Sequence, residues 1–191
     1  MKGFAMKPGS RSIIGSLLTS LVTTLMLASC NVTSDYPVDV PPGSEVDVTP
    51  YLGDWNLWEV AGETPQQAVV ISIQQVGTNI TVTCSDGMTS STETAQLTRV
   101  SGEVIASLRG ETGLWNISMV TLNANSNQML VADLNRERLK QDIDAGLIAG
   151  EIDNLDTNYF SINITADGTT LRSYLSQQAD LFYTNGMVLV R

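Results

Sequence analysis

Oxygen-bearing side chains crowd into one stretch of this sequence: Asp142, Asp144, Glu151, Asp153 and Asp156, with Asn154 and Asn158 beside them. Hard cations such as calcium take about six to eight oxygens from carboxylates, amides and carbonyls. Asp153, Asp156 and Asn158 offer such oxygens within one turn, which makes them the candidate calcium ligands. The regular D-x-[DN]-x-[DN]-G spacing is missing, so a solvated acidic loop is the stronger expectation. Paired carboxylates also serve as general acid and base on glycosides, but spacing alone singles out no pair.

Other chemistries are excluded by residue type. The chain has no His, which removes Ser-His-Asp and Cys-His catalysis and the usual zinc and copper ligand sets. It has no G-x-S-x-G nucleophile elbow and no glycine loop to cradle phosphate. The expectation is a protein that is not an enzyme and carries no cofactor. Asn79-Ile80-Thr81, Asn116-Ile117-Ser118 and Asn163-Ile164-Thr165 match glycosylation acceptors, and strand composition explains them equally well.

Only two cysteines exist, Cys30 and Cys84. Lys2, Lys7 and Arg11 are the only charged residues before Asp35, and from Ile13 to Ala28 no charge interrupts an apolar run. A basic start, a short apolar segment and small residues at its end form a secretory signal peptide. The run is short for a bilayer span, which needs about 20 apolar residues. It ends in Leu27-Ala28-Ser29-Cys30, which resembles the lipobox of bacterial lipoproteins. The resemblance implies diacylglycerol on the Cys30 thiol, cleavage between Ser29 and Cys30, and acylation of the new amino terminus. Asn31, where Asp would retain such a protein at the inner membrane, implies sorting to the outer membrane. Cys84 is then left without a disulfide partner.

Removing residues 1–29 from the 191 leaves 162, enough for one domain with a single core. Those 29 residues hold three of the ten basic residues and none of the twenty acids, so the formal charge falls from −10 to about −13. Such a surface is repelled by phosphate backbones, and nucleic acid is not an expected partner.

The elements that must position any site follow from periodicity. Residues 30–50 carry Pro37, Pro41, Pro42 and Pro50 among four acids, with no apolar period. They read as an extended tether from the lipidated cysteine, and the globular domain is expected over 51–191. A strand is expected from Trp55 to Val60. Ile71 and Ile73, then Ile80, Val82 and Cys84, alternate with polar residues on strands that flank the turn at Gly77. Ser85 to Glu93 reads as a loop. Ser101-Gly102 is a tight hairpin signal, with Val104, Ala106 and Leu108 alternating after it. Trp115, Ile117 and Met119 share one face, and strands near Met129–Val131, Phe160–Ile164 and Met187–Val190 complete the pattern. Short strands at regular spacing predict an antiparallel barrel or sandwich.

Late in the chain the period lengthens. Leu139, Ile143 and Leu147 recur every four residues between Asn135, a cap, and Gly146, a stop, which predicts a helix near 136–145. Asp167 is a second cap, and Leu171, Tyr174 and Leu175 share a helical face, although Thr169, Thr170 and Tyr174 also suit a strand. Aligning Asn135 with Asp167 places Leu139 over Leu171 and Ile143 over Leu175, an echo of strand, cap and helix. The fold class expected is α+β, mostly antiparallel β-sheet with one or two short helices in the C-terminal half.

Gly53-Asp54-Trp55 resembles the G-x-W motif that opens the barrel of lipocalins. That resemblance implies a closed barrel with an apolar cavity of a few hundred Å³, with Trp55 and Trp115 as candidate lining residues. It also implies an Arg near the closing end that packs on the tryptophan, a place for which Arg191 is the match. Two functional readings follow. The first is an outer-membrane lipoprotein that recognises an envelope protein through its acidic surface; the second is a lipocalin-like carrier of a small apolar ligand.

Overall fold

A computed structural model describes residues 32–58, 69–156, 159–178, 180–182 and 186–191. The apolar leader, Ser29, Cys30, the expected strand end at Glu59 and Val60, and Asn158 lie outside these residues. In chain order the elements are β1 (Val32–Ser34), a 3-10 turn (Thr49–Tyr51), β2 (Gly53–Trp58), β3 (Val70–Val76), β4 (Asn79–Ser85), β5 (Ser90–Val100), β6 (Glu103–Arg109), β7 (Trp115–Leu122) and β8 (Gln128–Asp133). There follow α1 (Arg136–Asp144), β9 (Gly150–Asp156), β10 (Tyr159–Ile164), α2 (Gly168–Gln177) and β11 (Met187–Val190).

Strands β2 to β8 form a meander in which each pairs antiparallel with the next, and β11 pairs with both β8 and β2. Eight strands thus close into a barrel, which leaves those strands no free edge to aggregate. The turns are chemically specified. Val100 stands opposite Glu103, and the intervening Ser101 and Gly102 both have positive φ, at 50° and 96°, the conformation that lets a tight hairpin follow the strand twist.

Alternation sorts the side chains between two cores. On β3 and β4, Ile71 and Cys84 are opposite each other and face the barrel interior, as do Ile73 and Val82. Between them Ser72, Gln74, Thr81 and Thr83 face solvent, so these strands are apolar on one side only. Strand β6 is apolar on both sides, and β5 and β7 add apolar residues to each. Val104, Ala106 and Val120 belong to the interior cluster, whereas Val100, Ile105 and Ile117 belong to a second cluster on the outer face. That outer face must be covered. The cover is the C-terminal insertion: Leu139 of α1, Ile162 and Ile164 of β10, and Leu171 of α2 are buried against it with at most 1% exposure.

Both helices form where caps and spacing place them. The Asn135 side chain accepts from the Arg138 amide at 3.0 Å, and the Asp167 side chain accepts from the Thr170 amide at 2.9 Å. Residues 168–177 are helix, so the β-branched threonines lose to the cap and the buried Leu171, Tyr174 and Leu175. The helices are tied together by Asp142, 4% exposed, which accepts from Tyr174 Oη at 2.7 Å and from Arg138 Nε at 3.2 Å. Burial, and then the bond to Asp142, pushes the Tyr174 phenol well above its usual range. Among the described residues no helix is long and apolar enough to cross a membrane.

Three expectations are corrected. Residues 32–50 are not a free tether. Strand β1 pairs in parallel with β10 and takes the edge of β7 at Ser34↔Trp115, beyond the point where β8 leaves β7 at Ser118↔Asp133. Val38 is 0% exposed, and its amide donates to Ser107 Oγ at 3.1 Å. Arg172 of α2 fixes the same segment by donating to Asp39 O at 3.1 Å, Thr98 Oγ1 at 2.9 Å and Arg99 O at 2.6 Å. A Cβ at Gly168 would stand 2.5 Å from Pro37 O, so the approach is too close for any other residue. The prolines deny this stretch a helix but not a place on the surface, because side chains and β1 satisfy its backbone.

Ser90–Glu93, expected in a loop, begins β5, because pairing with β4 from Ser85↔Ser90 onward outweighs the low strand preference of Ser and Glu. The acidic stretch is likewise a strand: β9 pairs with β10 through Asp153↔Ser161 and Asn154↔Phe160. Alternation there is hidden by the run of acids.

Candidate functional site

The barrel is hollow. A cavity of about 670 Å³ runs through its interior and reaches Val32, Thr33, Ile117 and Leu134 on the side of β1, a volume in the range that holds a drug-sized ligand. An eight-stranded barrel is just wide enough for one such molecule when its inward side chains leave room. Here they do, because adjacent strands present small residues to one another. Ala106 of β6 stands opposite Leu97 of β5 and Ser118 of β7, and Ala95 of β5 also faces in. The deeper walls are aliphatic: Ile71, Ile73, Ile80, Val82, Met129 and Leu189.

One end of the barrel is plugged. Trp55, 0% exposed, donates from Nε1 to Tyr51 O at 2.8 Å. The Arg191 guanidinium lies 4.2 Å from the Trp55 ring centroid, a cation–π contact. It also donates to Pro50 O at 2.9 Å and Leu52 O at 2.6 Å, satisfying carbonyls around the 3-10 turn. The register explains the meeting. Asn56 pairs with Val190, so the next residues outward, Trp55 and Arg191, face each other across β2 and β11. Arg191 therefore packs on the tryptophan as expected. Trp55 belongs to the barrel's buried cluster but not to the cavity wall.

Trp115 is not at the cavity. It is in phase with Ile117 and Met119 and packs against the outer core, with the Arg109 guanidinium 5.7 Å from its ring. Its neighbour Asn116, one residue further along, faces inward instead.

The other end is polar. The turns at 86–89 and 110–114 border it, and Thr89, Gly110 and Glu111 line the cavity there. Asp86 secures the first turn by accepting from the Met88 and Thr89 amides at 2.9 and 2.7 Å, bonds that hold its carboxyl below the usual range. Three further polar side chains face in from neighbouring strands: Glu93 of β5, Asn116 of β7 and Asp133 of β8. Burial pushes the Glu93 carboxyl up, and the Glu111 charge adds to it. Burial also pushes Asp133 up, partly offset by the Ser118 hydroxyl, which donates to it at 3.0 Å. Among the described residues, Asn116 Oδ1 is the buried side-chain polar atom with no hydrogen-bond partner.

Sequence reasoning missed this constellation, although phase held the signal. Glu93 is in step with Ala95 and Leu97, Asn116 with Ser118 and Val120, and Asp133 with Val131 and Met129. Cys84 lines the cavity as a buried free thiol, and burial first, then Asp86 and Glu93, pushes it up. A neutral thiol is a poor nucleophile. Of the candidate calcium ligands, Asp153 is exposed on β9 and Asp156 ends that strand. Among the described residues no group of three or more His, Cys, Asp or Glu is placed to hold a metal ion. No known protein family, curated protein or solved structure matches the chain.

Proposed function

We propose that this protein is a lipid-anchored, lipocalin-like carrier that holds a small, largely apolar molecule inside its barrel in the bacterial cell envelope. The observation that carries the reading is the cavity of about 670 Å³ in a closed eight-stranded barrel. A barrel that served only as a scaffold would gain stability from filling that space. The plug of Tyr51, Trp55 and Arg191 supports the lipocalin likeness by geometry, beyond the G-x-W motif. The anchor rests on Leu27-Ala28-Ser29-Cys30, and the outer membrane is favoured by Asn31. The reading is non-catalytic because the chain has no His and no nucleophile motif.

Recognition of an envelope protein by the acidic surface is the second reading; the hollow lumen supports the first. Native mass spectrometry of residues 31–191, which contain both cores, separates the two after incubation with an envelope extract of the host. An added mass of a few hundred daltons supports the carrier. A bare chain, or a complex with another protein only, overturns it in favour of the surface. The anchor has its own test: Cys30→Ser is expected to release the protein from membranes, and persistent attachment would show that no lipid is carried there.

A further inference from the structure

The polar end of the lumen has a definite chemical bias, and this inference rests on the carrier reading. Among the described residues, the charged ones that line the cavity are Glu93, Glu111 and Asp133, with no Lys or Arg. The connecting segments at that end agree: 86–89 and 110–114 contain Asp86 and Glu111 and no base. The unpartnered atom among these side chains, Asn116 Oδ1, is an acceptor. The Ser118 hydroxyl spends its one proton on Asp133, so what it leaves toward the lumen is lone pairs. This end of the cavity therefore carries acidic charge and an unsatisfied acceptor, and its neutral donors are the Ser90, Ser91 and Thr112 hydroxyls and the Asn116 amide nitrogen. An acceptor is satisfied only by a donor, and an ammonium group supplies three donors and no acceptor.

We propose that the lumen selects a cationic amphiphile, an apolar body carrying a protonated amine, and seats the amine among Glu93, Asn116 and Asp133. These three side chains come from β5, β7 and β8. Asn116 stands opposite Leu108 and Leu108 opposite Ala95, while Asp133 stands opposite Ser118, so Glu93 lies two residues from the Asn116 level on one side and Asp133 two residues from it on the other, with Asn116 between the two carboxyls. The Glu93 and Asp133 carboxyls are half-buried, with no partner cation among the described residues, and a bound amine supplies one. A fatty acid would instead set a fourth carboxylate against three acids. The aliphatic walls around Ile73, Val82 and Leu189 receive the apolar body whatever its head group.

The test compares three ligands with the same tail: decylamine, decanol and decanoate. Each competes against a neutral naphthylamine dye, whose fluorescence rises in apolar surroundings, bound to residues 31–191. Decylamine is expected to displace the dye roughly tenfold more tightly than decanol, the ratio one charge-assisted hydrogen bond supplies, with decanoate weakest. Glu93→Gln combined with Asp133→Asn is expected to bring decylamine to the level of decanol and leave decanol unchanged. Ala106→Phe, which fills the lumen, is expected to abolish displacement by all three. Decanoate equal to decylamine overturns the inference, as does a double variant that keeps the amine preference. Decylamine still bound to Ala106→Phe would place it on the acidic outer surface and would overturn the inference too. Failure of the dye and all three ligands to bind would overturn the carrier reading itself.

Discussion

The two faces of β5, β6 and β7 carry cores of opposite character. Outward, Ile105, Leu139, Ile162, Ile164 and Leu171 interlock with at most 2% exposure. The polar groups buried with them are all paired: Thr98 with Arg172, Ser107 with the Val38 amide, Asp142 with Tyr174 and Arg138. Inward, the same strands present Ala95, Ala106 and Ser118 to an open cavity, with an unpartnered Asn116 oxygen and carboxyls pushed up by burial. One sheet therefore divides the labour. Packing is completed on its outer side, and incompleteness is kept on its inner side, where a ligand can complete it.

The largest expected effect compares one substitution on the two sides. Leu139→Ala and Leu171→Ala, both at 0% exposure, should each cost about 3–5 kcal/mol, the transfer of the side chain plus the cavity left behind. Leu97→Ala or Leu108→Ala, half-buried and already facing open space, should cost about 1–2 kcal/mol. Urea unfolding measures both, and equal costs would mean that the lumen is packed like the outer core.

Arg172→Ala should come next, at about 2–3 kcal/mol, because it removes donors from Thr98 Oγ1, Asp39 O and Arg99 O together. Its particular sign is local. Hydrogen exchange at the Val38 and Arg99 amides should quicken more than exchange in β3 and β4, since residues 32–50 lose their clasp. Uniform acceleration across the barrel would show that this segment does not open on its own.

The smallest effect has the opposite sign. Glu93 and Asp133 have folded-state pKa values raised above their unfolded ones. Their ionised forms therefore subtract from stability above the folded pKa, and the loss disappears as pH falls toward about 4, where the unfolded carboxylates also protonate. Glu93→Gln and Asp133→Asn should accordingly raise Tm at pH 7, with the gain fading as pH falls. Variants that lower Tm at pH 7 would show that these carboxylates support the fold rather than the ligand.

Much of the fold was legible because its signals are local. Alternation marked β3, β4 and β6, and a short apolar run marked β11. Ser101-Gly102 marked a tight hairpin, and Asn135 and Asp167 marked the helix starts, since a cap acts on amides three residues away. The stretches misread were those whose structure is imposed from elsewhere. Ser90–Glu93 is strand because β4 pairs with it, and Asp153 lies in a strand because β10 does. Residues 32–50 dock because Arg172 and Ser107, distant in sequence, receive them. At the site, Gly53, Trp55 and Arg191 could be named in advance, and the tryptophan and the arginine do meet. Trp115 was misplaced, because the apolar phase of β7, Trp115, Ile117 and Met119, packs on the outer core while the phase that carries Asn116 and Ser118 faces the lumen, and composition does not say which face is which.

By itself, then, the sequence determined where most strands and the first helix run, left 168–177 open between helix and strand, and showed that a closed or sandwiched β-core was needed and that His-dependent chemistry was out of reach. These follow from period, caps and residue type, which act over a few residues. Only the tertiary structure decided that β11 closes the barrel between β8 and β2, that the insertion covers the outside of β5–β7, and that the inside stays hollow. It alone brought Glu93, Asn116 and Asp133 to one end of that hollow. A period of two tells a strand which residues share a face; which strands lie beside it, and how large their facing side chains are, depends on partners far away in the chain, such as Val188 of β11 beside Trp58 of β2.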